Sequence, residues 1–139
     1  MGIGAGHSYF YREYLWEFVR RREQPELPSR LSVAYAFEDQ TVADGFRQQA
    51  NLPLPFTYLV RLSTADSRTS RADMRWWDDG FLSTLHRFED VEWCARNYWN
   101  GQSRPGRPAW EWLIEGSLTV IQRISPLSIV DGHGETILL

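Results

Sequence analysis

The chain predicts an α+β domain, and three observations carry that prediction. Its 139 residues fit one domain with a core of its own. Helical and strand hydrophobic periods both occur, in separate stretches. They are mixed without regular β-α-β alternation, which argues against a doubly wound parallel sheet.

Composition narrows the class further. Hydrophobic residues make up 42% and charged residues 24%, the balance of a globular chain. A net charge of -3 gives no general attraction to nucleic acid or to anionic membranes, although Arg20, Arg21 and Arg22 form a local basic run. Cys94 is the single cysteine, so neither a disulfide framework nor a cysteine zinc cluster is expected. A lone thiol suits a reducing compartment or a small toxin unit. No apolar run reaches the roughly 18 residues of a membrane span. Met1 to Ser8 is glycine-rich and lacks the charged and apolar regions of a signal peptide, so it reads as a linker or excision scar on a single domain covering 1–139.

The elements follow in order. Tyr9 to Glu23 predicts a helix, with Tyr11, Leu15, Phe18 and Val19 on one face, Ser8 as N-cap and Arg20 to Arg22 at the C-terminal turn. Pro25 and Pro28 end it in an extended connector. Leu31 to Phe37 alternates and predicts a strand. Thr41 to Gln49 predicts a short helix capped by Thr41 or Asp39. Phe56 to Leu62 predicts a second strand, and Ser63 to Asp73, polar and without period, a loop. Arg75 to Leu85 predicts a short helix, and Glu89 to Trp99 a longer one stopped by Asn100-Gly101, with Val91, Cys94, Ala95, Tyr98 and Trp99 inward. After an exposed loop from Gln102 to Pro108, Trp110 to Ile124 is β-rich with a turn at Glu115-Gly116. Ile129-Val130 and Ile137 to Leu139 predict a final hairpin around the Asp131 to Gly134 turn.

Chemistry is sparse. His7, His86 and His133 have no His or Cys partner at ligand spacing, so no metal site is expected. No G-x-S-x-G elbow and no P-loop appear. Two segments remain. Pro28-Ser29-Arg30-Leu31-Ser32 puts hydroxyls and a guanidinium at a strand start, where they suit a polar ligand such as a diphosphate, or simply satisfy a turn. Pro108 to Glu115 places Glu111 at a strand head between Trp110 and Trp112, either a charge in a low-dielectric setting or an edge glutamate facing solvent. The aromatic content of 14% fits core packing or a stacking pocket.

Glu111 followed by Trp-Leu-Ile and a turn resembles the C-terminal catalytic motif of ADP-ribosyltransferases. Pro28 to Ser32, running into a β stretch that ends at Phe37 and then a helix, resembles the serine-bearing middle strand of that fold. Ala95 to Gly101 resembles a helix of small bacterial members, and the segment order matches over roughly residues 10 to 124. The resemblance implies small mixed or antiparallel sheets with flanking helices. It implies NAD as substrate and transfer of ADP-ribose to a protein or nucleic-acid acceptor, in a bacterial toxin or effector with an immunity protein as partner. It places the activity in the cytoplasm, the cell's own or that of a target cell. Glu111 then takes the catalytic position, Ser29 or Ser32 supports it, and Arg30 faces the diphosphate. Tyr35, Phe37 and Trp110 are the stacking candidates, and His7 stands in for the first motif. The family's early strand with Arg or His is replaced by a helix, and the middle motif is Ser-Arg-Leu-Ser. Ala109, two before Glu111, disfavours arginine as acceptor. Two other readings stay open: a non-catalytic binding module (an immunity or adaptor protein, or a degenerate nucleotide-binding relative), and a nuclease or glycosidase built on Glu111 and an arginine.

Overall fold

The computed structural model describes residues 2–49, 57–63, 67–78, 85, 87–124 and 136–138, with the side chains of 2–9, 47–49 and 136–138 outside that description. The chain is α+β: three α-helices and six strands among the described residues, joined in one antiparallel sheet.

Helix α1 spans Gly2–Glu23. It begins well before the expected Ser8 cap, so Ser8 lies inside the helix and not at its start. Leu15, Trp16 and Val19 are its buried apolar residues, at helical spacing, whereas Tyr11 and Phe18, expected on the inner face, are exposed. After α1 the Arg20 guanidinium donates to the carbonyls of Pro25 and Leu27, at 3.1 and 2.7 Å, and ties the proline connector to the helix.

A single 3-10 turn, Arg30–Ser32, comes next, and the strand starts only at Ala34 (β1, Ala34–Phe37). The expected strand over 31–37 is therefore shortened. Its first residues turn because Ser29 caps them, its Oγ accepting from the Leu31 N–H at 3.2 Å. Helix α2, Gln40–Gln49, is capped by Asp39, which accepts from the N–H groups of Thr41 and Val42. Strand β2 is Thr57–Leu62.

The stretch from Ser63 to Asp73, expected as a loop, contains strand β3, Arg68–Asp73. Its alternation was hidden because its inward residues are small: Ser70 and Ala72 are buried beside arginines that stay out. A 3-10 turn, Met74–Trp77, follows; the remainder of the expected 75–85 helix falls on residues outside the description, Asp78 and Leu85 excepted. Helix α3, Phe88–Trp99, ends in a Schellman motif: Gly101 at φ 67 donates to the Tyr98 carbonyl and Gln102 to that of Asn97.

Strands β4 (Trp110–Glu115), β5 (Leu118–Ile124) and β6 (Thr136–Leu138) complete a sheet ordered β3-β4-β1-β6-β2-β5. The first arm of the expected C-terminal hairpin lies outside the described residues; β6 itself is wedged between β1 and β2. Gly116 and Ser117 alone join β4 to β5, although three strands separate them. That short link reaches about 11 Å, against about 19 Å for four strand spacings on a flat sheet. The sheet must therefore curl. Ala36, Val60 and Ile114 form a core inside the curl, with Leu62, Trp112 and Leu118 packed against it. Gly116 is required at the link: its φ is 152, and a Cβ there would meet Ser67 Oγ at 2.3 Å. The opposite face of β3, β4 and β1 is covered by α1 and α3, through Trp16, Val19, Cys94, Tyr98, Trp99, Ala72 and Leu113.

Candidate functional site

Strand alternation decides where Glu111 points. In the ladder it stands opposite Phe37 on β1 and Ala72 on β3. Directly paired residues share a face, so Glu111 joins Ala72, Leu113 and Tyr35 under the helices. Trp110 and Trp112, one residue away on either side, project to the other face. There Arg71 lies 3.8 Å over the Trp110 ring, and Trp112 Nε1 donates to Glu38 at 2.9 Å. The aromatic setting that sequence suggested for Glu111 thus comes from other tryptophans and tyrosines.

Glu111 is 2% exposed and belongs to a compact polar triangle. Arg30, leaving the 3-10 turn, donates Nη1 to Glu111 Oε1 at 2.9 Å. The Tyr98 hydroxyl, from the inner face of α3, donates to the same oxygen in a very short bond. Arg30 Nη1 also donates to the Tyr98 hydroxyl at 2.5 Å. Both hydrogen bonds fall on Oε1; Oε2 takes none from the described residues. The Arg30 guanidinium rests 4.1 Å over Trp77 and 5.2 Å from the rings of both Tyr35 and Tyr98. Arg12 stacks at 4.6 Å on Trp77 too and donates to its carbonyl at 2.8 Å. Glu13 Oε2 lies 3.5 Å from Arg30 Nε.

Burial dominates the electrostatics. It pushes the Tyr98 hydroxyl well above the usual tyrosine range, and the neighbouring Glu111 carboxylate adds to burial against the pull of Arg30. Burial opposes the charge on Arg30, but Tyr98 and Glu111 hold its pKa above the ordinary value, so the cation persists.

Ser29 supports this site from beneath. Its Oγ donates to Glu17 Oε2 at 2.8 Å, and Glu17 is gripped twice by Arg20 and once by Arg21. The Arg20 bonds, ahead of those from Arg21 and Ser29, draw the Glu17 carboxyl down to about 2 against the cost of burial. The hydroxyl of Tyr35 donates to the Arg30 carbonyl at 2.7 Å. So Ser29 and Tyr35 fix the backbone from which Arg30 projects. Ser32 is exposed on the outside of the turn. Phe37 packs in a separate cluster with Ala43, Phe46 and Ile124. The side chains of His7, His86 and His133 lie outside the description.

The structure thus brings Arg30 and Tyr35 to Glu111, pairs Phe37 with it across the β1–β4 ladder, and leaves Ser32 exposed and Trp110 on the other face. It adds Tyr98, Glu13, Arg12 and Trp77, which sequence reasoning did not assign to a site. Tyr98 carried a signal, because a hydroxyl on the buried face of a helix needs a partner. Glu13 carried another: Glu13, Glu17 and Arg20 follow helical spacing beside the buried stripe of α1.

Asp73 is, with Glu17, a further buried carboxylate, and the chain itself satisfies it. It accepts from Arg75 and from the backbone N–H groups of Arg75, Arg104 and Ala109. It anchors the loop that delivers β4 and Glu111. Among the described residues no group of three or more His, Cys, Asp or Glu could hold a metal, and no helix is long and apolar enough to cross a membrane.

No curated protein matches the chain. A family model described as "Protein of unknown function (DUF2441)" matches residues 5–126, which takes in Glu13, Arg30, Tyr98 and Glu111, and the chain belongs to that family.

Proposed function

We propose that this chain is an ADP-ribosyltransferase-like enzyme that takes NAD as substrate and transfers ADP-ribose to a protein or nucleic-acid acceptor. One observation carries the reading. Glu111 is a buried carboxylate at a strand head whose Oε1 is pinned by Arg30 and Tyr98, while Oε2 takes no hydrogen bond from the described residues. A carboxylate so fixed suits acceptance of a hydroxyl of the nicotinamide ribose. As the glycosidic C–N bond breaks, its electron pair goes to the nicotinamide nitrogen and cancels that ring's positive charge. Positive charge then develops on the ribose, and the Glu111 carboxylate stabilises it. The acceptor's nucleophile bonds to the anomeric carbon and releases its proton to solvent.

Arg30 serves this reading as the partner that holds Glu111 in place in the free chain. The same is true of Ser29 and Tyr35, which act through the Arg30 backbone. The toxin or effector role and the immunity partner belong to the same proposal. So does a non-arginine acceptor, which Ala109 favours. A second reading, the non-catalytic binding module, draws on the closeness of the network, since a buried ion pair also serves structure alone.

The test is transfer of labelled ADP-ribose from NAD to candidate protein and RNA acceptors. Label on an acceptor that Glu111→Gln abolishes supports the enzyme. No label on any acceptor, with the chain folded, favours the binding module.

A further inference from the structure

Arg30 has two carboxylates within reach and is hydrogen-bonded to one. Nη1 holds Glu111, whereas Nε faces Glu13 Oε2 at 3.5 Å. Arg30 Nε and Glu13 Oε2 are both buried, and neither has a hydrogen bond among the described residues. Buried polar atoms without a hydrogen bond are costly, and here two of opposite kind face each other at ion-pair distance, with the hydrogen bond between them still unmade. The Arg30 backbone is fixed by the Tyr35 hydroxyl on its carbonyl and by the Ser29 cap. The guanidinium carbon sits over the Trp77 ring, 4.1 Å from its centroid, so the head group can turn about that point while keeping its cation–π contact.

We propose that Glu13 is a positioning residue for the reaction: it receives the Arg30 guanidinium when Glu111 is given over to the ribose. This rests on the reading of Glu111 as the ribose-binding carboxylate. In the free chain Arg30 sits on Glu111 and covers it. Without an alternate seat, the buried cation would be left unpartnered as the carboxylate turns to the ribose hydroxyl. Glu13 supplies that seat on α1, on the Nε side of the guanidinium. Glu13→Gln is then expected to raise KM for NAD about tenfold, the worth of one charge-assisted hydrogen bond, with kcat little changed.

The exchange itself is tested without NAD, by following the Arg30 Nε–H resonance in the intact chain. In Glu111→Gln that resonance is expected to move downfield and its exchange with water to slow, as Nε–H bonds to Glu13. Adding Glu13→Gln should reverse both changes. Glu111→Asp keeps the charge but draws the carboxylate back. It carries the same expectation, should Glu111→Gln not fold. An Arg30 Nε–H signal unmoved in these variants, or moved equally without Glu13, overturns the proposal. Failure of the folded wild-type chain to release nicotinamide rejects the reading of Glu111 and is measured separately.

Discussion

Arg30 Nη1 meets Glu111 Oε1 at 2.9 Å, joining the turn after α1 to the head of β4 across 81 residues of chain. Both side chains are nearly inaccessible, with exposures of 8% and 3%. Removing one partner of a buried pair strands the other charge, at a cost of about 3–5 kcal/mol. Glu111→Ala is therefore expected to lose stability on that scale in urea unfolding. Glu111→Gln keeps an acceptor oxygen and should lose less. Glu115, four residues on, is paired with Arg68 at the surface, and Glu115→Ala should cost about 1 kcal/mol or less. Equal effects at the two glutamates would contradict the ion-pair assignment. Glu111→Gln is thus the cleaner probe of chemistry.

Tyr98 bridges the same pair. Tyr98→Phe keeps the ring contacts with Trp16 and Trp99 and removes only the hydroxyl. The expected loss is about 1–3 kcal/mol, because the hydrogen bond ends on a charged group. The Tyr98 pKa is raised in the folded state, so its contribution is complete below the unfolded value of about 10 and is lost as pH climbs through the folded value. In an alkaline absorbance titration, one of the six tyrosines should ionise only with unfolding, and Tyr98→Phe should remove that late step.

Glu17 governs the acid side. Its carboxyl is held down from 4.5 to about 2, so its contribution is present above the upper value and is lost as pH falls through the lower. Glu17→Gln should flatten the dependence of melting temperature on pH over that window. Ser29→Ala, which removes both a bond to Glu17 and the cap of the Arg30 turn, should cost about 1 kcal/mol at neutral pH. An unchanged acid limb in Glu17→Gln would contradict the assignment.

Local pattern made α1, α3 and the β2 and β4 strands legible, because each buries apolar residues at its own period, and the Asp39 cap marked α2. β3 was not legible, since Ser70 and Ala72 are too small to mark an inward face, and only pairing with β4 makes it a strand. Glu111 was legible as a candidate. Its surroundings were misjudged, because adjacency in sequence placed Trp110 and Trp112 beside it when strand alternation sends them away. The groups that touch it come from α3 and the Arg30 turn, and Glu13 joins them from α1. Spacing marks Tyr98 and Glu13 each on its own helix, but not that Tyr98 meets Glu111 and Glu13 meets Arg30.

The most direct measurement is nicotinamide release from NAD by the folded wild-type chain, by Glu111→Gln and by Glu115→Ala. Release is expected from wild type and from Glu115→Ala, with loss of about a hundredfold or more in Glu111→Gln. Release that persists unchanged in Glu111→Gln, or no release by the wild-type chain with or without acceptor, would contradict it.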